Sequence, residues 1–264
     1  MAVPPRSAHF TTSAVLPLGS LAVLLGVWEV ATRYGGVNPL ILPAPEAVLV
    51  SLWIGLIEGS YWAHIAITLG QALAGYAIAV VLGVGLGALI AQFWVVERTV
   101  YPYLIALQTL PKVALAPLII VWFGYGISSK IVIVALLSFF PVLVNTIVGI
   151  KNCDAGRLDV MRALQASGWQ IFWWVRLPSA LPFIFAGLNV AAVLAILGSI
   201  VGEFVGSKMG LGNLILEADS RLDIAQVFSI LIVLAAIGIG LHALLQLVHR
   251  RALFWSEAES LDRL

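Results

Sequence analysis

The stretch IVIVALLSFFPVLVNTIVGI, residues 131–150, contains twenty residues and not one formal charge. A helix of about 20 mainly apolar residues is what crosses the hydrocarbon of a bilayer, so this segment reads as a membrane span. The rest of the chain has the same character. Of its 264 residues, 61% are hydrophobic and 10% charged, with a mean hydropathy of +1.06. Soluble domains carry roughly 25% charged residues. The expected fold class is therefore all-α: a polytopic membrane protein of about six transmembrane helices, with spans near 14–33, 62–92, 99–123, 129–150, 179–204 and 224–248. A net charge of +1 gives no nucleic-acid footprint, and the single cysteine, Cys153, rules out an intrachain disulfide.

Between these spans lie the informative interruptions. Pro43 and Pro45 end any helix before them, and the apolar run Val48–Ile57 is too short to cross. It is expected to lie along the interface, anchored by Trp53, Tyr61 and Trp62. The N-terminal run from Ala14 to Trp28 is expected to be retained as a first helix rather than cleaved. Gly83 and Gly87 form a G-x-x-x-G spacing suited to close helix packing, most simply within this chain. Lys112 stands between Pro111 and Pro117 in the third span, where two prolines predict a kinked or partly unwound helix lining a cavity. A lysine there would suit an anionic solute, or would be a snorkelling or ion-paired structural group. Gln108, Asn145, Asn189 and Glu203 are the other candidate pathway-lining groups, with Glu203 placed at an external gate or paired with Lys112. GSKMGLG, residues 206–212, is expected to be a flexible gate-side loop.

Lys and Arg set the orientation. With six spans, one side collects Arg6, Arg98, Lys151, Arg157, Arg162, Arg176, Arg250, Arg251 and Arg263. The other collects Arg33, Lys130, Lys208 and Arg221. Nine against four puts both termini in the cytoplasm, in a multi-pass protein of the cell inner (plasma) membrane. The organisation expected is a cytoplasmic segment 1–13, a transmembrane domain 14–250 and a cytoplasmic tail 251–264.

That orientation also puts residues 151–178 in the cytoplasm. Within them 157–166 reads as a short helix with Val160, Met161 and Leu164 on one face and Asp159, Arg162 and Ala166 on the other. Ser167-Gly168 breaks it. Counted back from Leu177-Pro178, the segment resembles the coupling loop of ABC importer permeases, which reads E-A-A-x-x-x-G, nine residues, then I-x-L-P. Asp159, Val160, Met161 and Gln165 fall on the first block, and Val175, Leu177 and Pro178 on the second. Gln165 stands at the glycine position, and Gly168 is expected to supply the turn instead. LPAPEAV (42–48), LQTLPKVALAPLIIVWFGYGISSKI (107–131), FFPVLVNTIVGIK (139–151) and GEFVGSKMGLGNLI (202–215) resemble the nitrate/sulfonate/taurine branch of these permeases, in order, from about residue 20 to about 250.

The resemblance implies a type I importer permease that pairs with a second permease copy, engages two cytoplasmic ATPase subunits and receives solute from an extracytoplasmic binding protein. The cargo implied is a small solute, anionic or polar in character by the branch's range: sulfonate-, taurine- or nitrate-like, or a vitamin precursor. The chain holds no G-x-x-x-x-G-K-[ST] phosphate loop, so ATP and Mg belong on the partner ATPase. No cofactor, metal site, catalytic residue or enzymatic activity is expected of this chain. The alternative is a stand-alone secondary transporter driven by an ion gradient, which would favour internal repeats that are not evident here.

Overall fold

The computed structural model describes residues 8–253, and every regular element among them is helical. The helices are α1 (Ala8–Tyr34), α2 (Pro45–Ile57), α3 (Ser60–Gln92), α4 (Trp94–Gln108), α5 (Ala116–Phe123), α6 (Ile127–Lys151), α7 (Ala155–Ala163), α8 (Gly168–Ile171), α9 (Leu177–Gly206), α10 (Leu211–Ser220) and α11 (Ile224–Ala252). Among the described residues, four helical stretches are long and apolar enough to span, and α4 with Lys112–Phe123 makes a fifth that is bent by 83°. The first expected span falls within α1, whose 27 residues exceed the roughly 20 required. The expected cytoplasmic segment 1–13 is already helical from Ala8, whereas Arg6 and most of the expected tail lie outside the described residues.

Two compact units divide the chain: residues 8–62 with 214–232, and 63–213 with 233–253. In the first unit α2 is too short to cross. The Trp28 indole donates to the Pro43 carbonyl at 3.0 Å, and Trp28 lies against Phe228 with ring centroids 5.9 Å apart. Trp53 and Trp62 are exposed as interface anchors require, but Tyr61 is only 1% exposed. Its hydroxyl bonds Ser229 at 2.7 Å and its ring fills the space over Gly55, where a side chain would collide with it. Tyr61 is thus a packing residue, not the anchor that the sequence suggested.

The second unit is organised around α6. On one side α3 lies parallel to it in constant register, Gly75 against Val134, Gly83 against Val142 and Gly87 against Thr146. A Cβ at Gly83 would sit 2.8 Å from Val142 Cβ, and one at Gly87 2.8 Å from Thr146 Cβ. The G-x-x-x-G spacing therefore serves contact within this chain. On the other side α9 runs antiparallel, pairing Gly202 with Lys130, Gly198 with Val134, Gly187 with Pro141 and Gly149 with Ala180. α11 is antiparallel to α9, with Gly238 near Ile196 and the His249 ring 4.9 Å from Phe185.

This parallel register settles what the bent segment does. α3 and α6 begin at the same end of the unit and finish at the other, so residues 93–126 must return from one end to the other. The third span, expected over 99–123 as a kinked or partly unwound helix, is therefore a crossing broken in the middle. The cause is local. Pro111 cannot donate to the ladder and biases Leu110 away from the helical region, and Pro117 sits at the start of α5, where its missing N–H costs nothing. α5 then packs Ala116 and Ile119 against Ile133 and Leu137.

Gly85 gives a direct control for the α3–α6 contact, because a Cβ there meets nothing within 4 Å. Gly83→Leu should lower the thermal unfolding midpoint of the purified chain by an overpacking cost of ~1–3 kcal/mol or more. Gly85→Leu should leave the midpoint nearly unchanged.

Candidate functional site

The segment joining α6 to α9 stands clear of the bundle at the end where α3 and α6 finish. Asp154 starts α7, its Oδ1 accepting the Arg157 N–H at 2.8 Å, a cap worth about 1 kcal/mol. The expected apolar face of α7 is divided. Val160 and Leu164 are 60% and 72% exposed, whereas Met161 is half-buried with Leu158. Asp159 pairs with Arg162 at 3.0 Å on the surface.

α7 ends in a turn that the sequence placed three residues too late. The Ala166 N–H reaches the Met161 carbonyl at 3.0 Å and the Gln165 N–H the Arg162 carbonyl at 2.9 Å. These bonds define a Schellman motif, whose C′ residue is left-handed. That residue is Gln165, at φ 57°. It occupies the position where the family motif has glycine, and a side chain there costs ~1–2 kcal/mol. Gly168 does not supply the turn. It opens α8 behind a capping box in which the Gln170 N–H donates to Ser167 Oγ at 3.3 Å and the Ser167 N–H to Gln170 Oε1 at 2.8 Å. The S-x-x-Q spacing of Ser167 and Gln170 was the readable signal for this helix start.

Beyond α8 the helix widens into a π-turn, Phe172–Arg176, before entering α9 at Leu177 and Pro178. Trp169, Phe172 and Trp173 pack as an aromatic cluster with centroids 5.5 to 6.1 Å apart. Met161, Leu164, Gln165, Ala166, Gln170 and Trp174 line an open groove of about 550 Å³. The segment is fastened to the bundle behind it: Arg176 Nη1 donates to Gln92 Oε1 at 2.9 Å, tying α9 to α3, and Lys151 pairs with Glu97, tying α6 to α4.

The five candidate lining residues are dispersed. At the break, Lys112 Nζ donates to the Gln108 carbonyl at 2.9 Å and stands 4.6 Å from the Phe140 ring centroid, a cation–π contact. Gln108 itself is exposed. Asn145 turns back onto the Pro141 carbonyl at 2.8 Å, and Asn189 onto the Phe185 carbonyl at 3.0 Å. Asn189 Oδ1 is buried with no partner among the described residues. Glu203 does not pair with Lys112. It is 0% exposed, accepting from Thr68 Oγ1 at 2.8 Å and the Gly212 N–H at 2.6 Å. The 206–212 loop, expected to be flexible, is folded around that carboxyl. His64 Nδ1 stands 2.9 Å from the Gly210 carbonyl.

Residues 79–253 match the family of binding-protein-dependent transport system inner membrane components. The chain belongs to this family. It is similar to the riboflavin transport system permease RibX of Chloroflexus aurantiacus, at 37% identity over 236 residues, covering 89% of this chain and 88% of the relative. The formylaminopyrimidine transport permease ThiX of Halalkalibacterium halodurans is 37% identical over 228 residues, covering 86% and 90%. A putative aliphatic sulfonates permease, SsuC of Escherichia coli, is 36% identical over 243 residues, covering 92% and 91%. The fold resembles the solved MetNI methionine ABC transporter in inward-facing conformations, with TM-score 0.63 at 19% identity, covering 73% of this chain and 94% of that one. The chain is thus a multi-pass permease subunit of an ABC importer, in the inner membrane.

Strain at Gln165 can be measured directly in this permease. Gln165→Gly should slow tryptic cleavage after Arg162, Gln165→Val should speed it, and Gly168→Ala, with nothing within 4 Å of the added Cβ, should leave it unchanged.

Proposed function

We propose that the permease forms its translocation pathway as one of a pair, most simply with a second copy of itself, and that two cytoplasmic ATPase subunits drive it through the α7–α8 segment. The observation that carries this reading is the segment's construction. A short helix capped at both ends projects Val160 and Leu164 into solvent and is tied by Arg176 and Lys151 to α3 and α4. Helix-in-groove docking uses apolar anchors one turn apart. A displacement imposed on α7 would pass along packed helices as a rigid-body movement. ATP and Mg would act on the partner, since this sequence has no phosphate loop.

The same reading orients the molecule. Lys151, Arg157, Arg162 and Arg176 lie on or beside the α7–α8 segment, and the antiparallel packing of α11 on α9 brings Arg250 and Arg251 to that end. The excess of Lys and Arg supports a cytoplasmic position for it, and both termini are proposed to lie on the same side. A binding protein would deliver cargo at the opposite end. The cargo we propose is a small polar or anionic organic solute, in keeping with relatives named for riboflavin, formylaminopyrimidine and aliphatic sulfonates. Lys112 supports the anionic choice, as a cation at the break in the crossing helix.

Two outcomes test this reading. An ATPase subunit should co-purify with the tagged permease from its native membrane, and Leu164→Glu should reduce its yield about tenfold or more, as expected for a docking anchor, without reducing the permease itself. A permease that purifies alone and moves solute under an ion gradient would instead be a secondary transporter. For Lys112, uptake of riboflavin, formylaminopyrimidine and an aliphatic sulfonate would be measured in cells carrying the whole transporter. Lys112→Met should reduce uptake of the transported compound, Lys112→Arg should preserve it, and equal uptake in both would remove Lys112 from the pathway.

A further inference from the structure

The turn that joins α9 to α10 has a buried carboxyl on one side and a buried ammonium on the other. Glu203 is 0% exposed and Lys130 1% exposed. Each meets a helix end of the opposite polarity. The Leu211 N–H donates to Thr68 Oγ1 at 2.8 Å, which leaves the Thr68 hydroxyl hydrogen to point at Glu203 Oε1, 2.8 Å away. The Gly212 N–H donates to Oε2 at 2.6 Å. Leu211 and Gly212 are the first two residues of α10, a helix of 10 residues. Glu203 therefore receives both leading amides of α10, one directly and one through Thr68, where a helix dipole favours negative charge.

The other side is the mirror case. Lys130 Nζ donates to the carbonyl of Gly206, the last residue of α9, and to the Tyr125 carbonyl at 2.7 Å. A cation complements the carbonyls that end a helix. The loop between the two caps is shaped to the carboxyl. Gly210 has φ 115°, and a side chain there would run into Glu203. A Cβ at Gly212 would stand 3.0 Å from Glu203 Oε2. Ser207, Lys208 and Met209, held between the caps, form one wall of a pocket of about 420 Å³ whose other walls include Tyr125, Gly126 and Ile127.

We infer that Glu203 and Lys130 are a positioning pair. They cap the facing ends of α10 and α9 with opposite charges, and so fix the loop that walls the pocket at the end opposite α7. Cargo entering there meets the wall they hold; Glu203 lies behind that wall, and Lys130 is itself part of the pocket lining. Only the description of this pocket as the extracytoplasmic mouth rests on the orientation proposed above; the capping does not.

Hydrogen–deuterium exchange of the full chain in lipid nanodiscs reads the two caps separately. Glu203→Gln replaces an acceptor by an amide whose hydrogens face donors. It should speed exchange in a peptide covering 210–213 about tenfold or more. Thr68→Val should do the same and Thr68→Ser should not, a comparison that stands even if the Glu203 variant fails to accumulate. Lys130→Met should speed the last turn of α9 and leave 211–212 as in the parent. Unchanged exchange at both sites would overturn the inference. So would equally faster exchange through α6, which would mark general loosening rather than loss of two caps.

Discussion

Everything else in this permease hangs on how closely α3 and α9 approach α6. Lipid tails are as apolar as the side chains they would replace, so burial alone does not drive helices together in a bilayer. Association rests on dispersion contacts and interhelical hydrogen bonds. Gly75, Gly83 and Gly87 on α3 and Gly187, Gly198 and Gly202 on α9 remove the side chains that would hold the axes apart. Ser138 adds a hydrogen bond from α6 to the Ala191 carbonyl at 3.0 Å. Because α6 is gripped from both sides, its ends are fixed. The broken crossing returns to one of them, and the α7–α8 segment leaves from the other.

The two ends solve different problems with the same local chemistry. At the α7 end, caps at Asp154 and Ser167 and a left-handed Gln165 give an exposed helix a definite shape without burying it. At the other end, Glu203 and Lys130 cap the helix ends from side chains that are themselves buried. An exposed docking element has to remain available to a partner. A buried turn has to satisfy its amides and carbonyls internally, since an unpaired one costs ~1–3 kcal/mol.

How much of this was legible in the sequence follows from the range of each interaction. Twenty uncharged residues at 131–150, the glycine spacing in α3 and the prolines flanking Lys112 act over one helix or one turn, and they gave the membrane fold, close packing and a disrupted third crossing. The size of the bend, 83°, was not legible: the prolines mark where the helix breaks, but not that α5 then lies against Ile133 and Leu137. Tyr61 looked like an interface anchor because nothing local tells that its hydroxyl bonds Ser229, 168 residues away. Lys130 was counted only among the cations of one side, and Glu203 was placed at an external gate or beside Lys112, for the same reason. Gln165 is a different kind of miss. Its backbone keeps the shape that a glycine would favour, so alignment with the family motif located the turn better than residue preference did.

Side-specific thiol labelling in intact cells tests the central claim, that α7 and the 207–210 loop lie on opposite faces of the membrane with α7 inside. Reporter cysteines would replace Arg157 and Lys208 singly, in a Cys153→Ser background that removes the only native thiol. A membrane-impermeant maleimide should label Lys208→Cys in intact cells, and Arg157→Cys only after the membrane is opened. Labelling of Arg157→Cys in intact cells would put the α7 segment outside, where no ATP-driven partner could reach it, and would contradict the account.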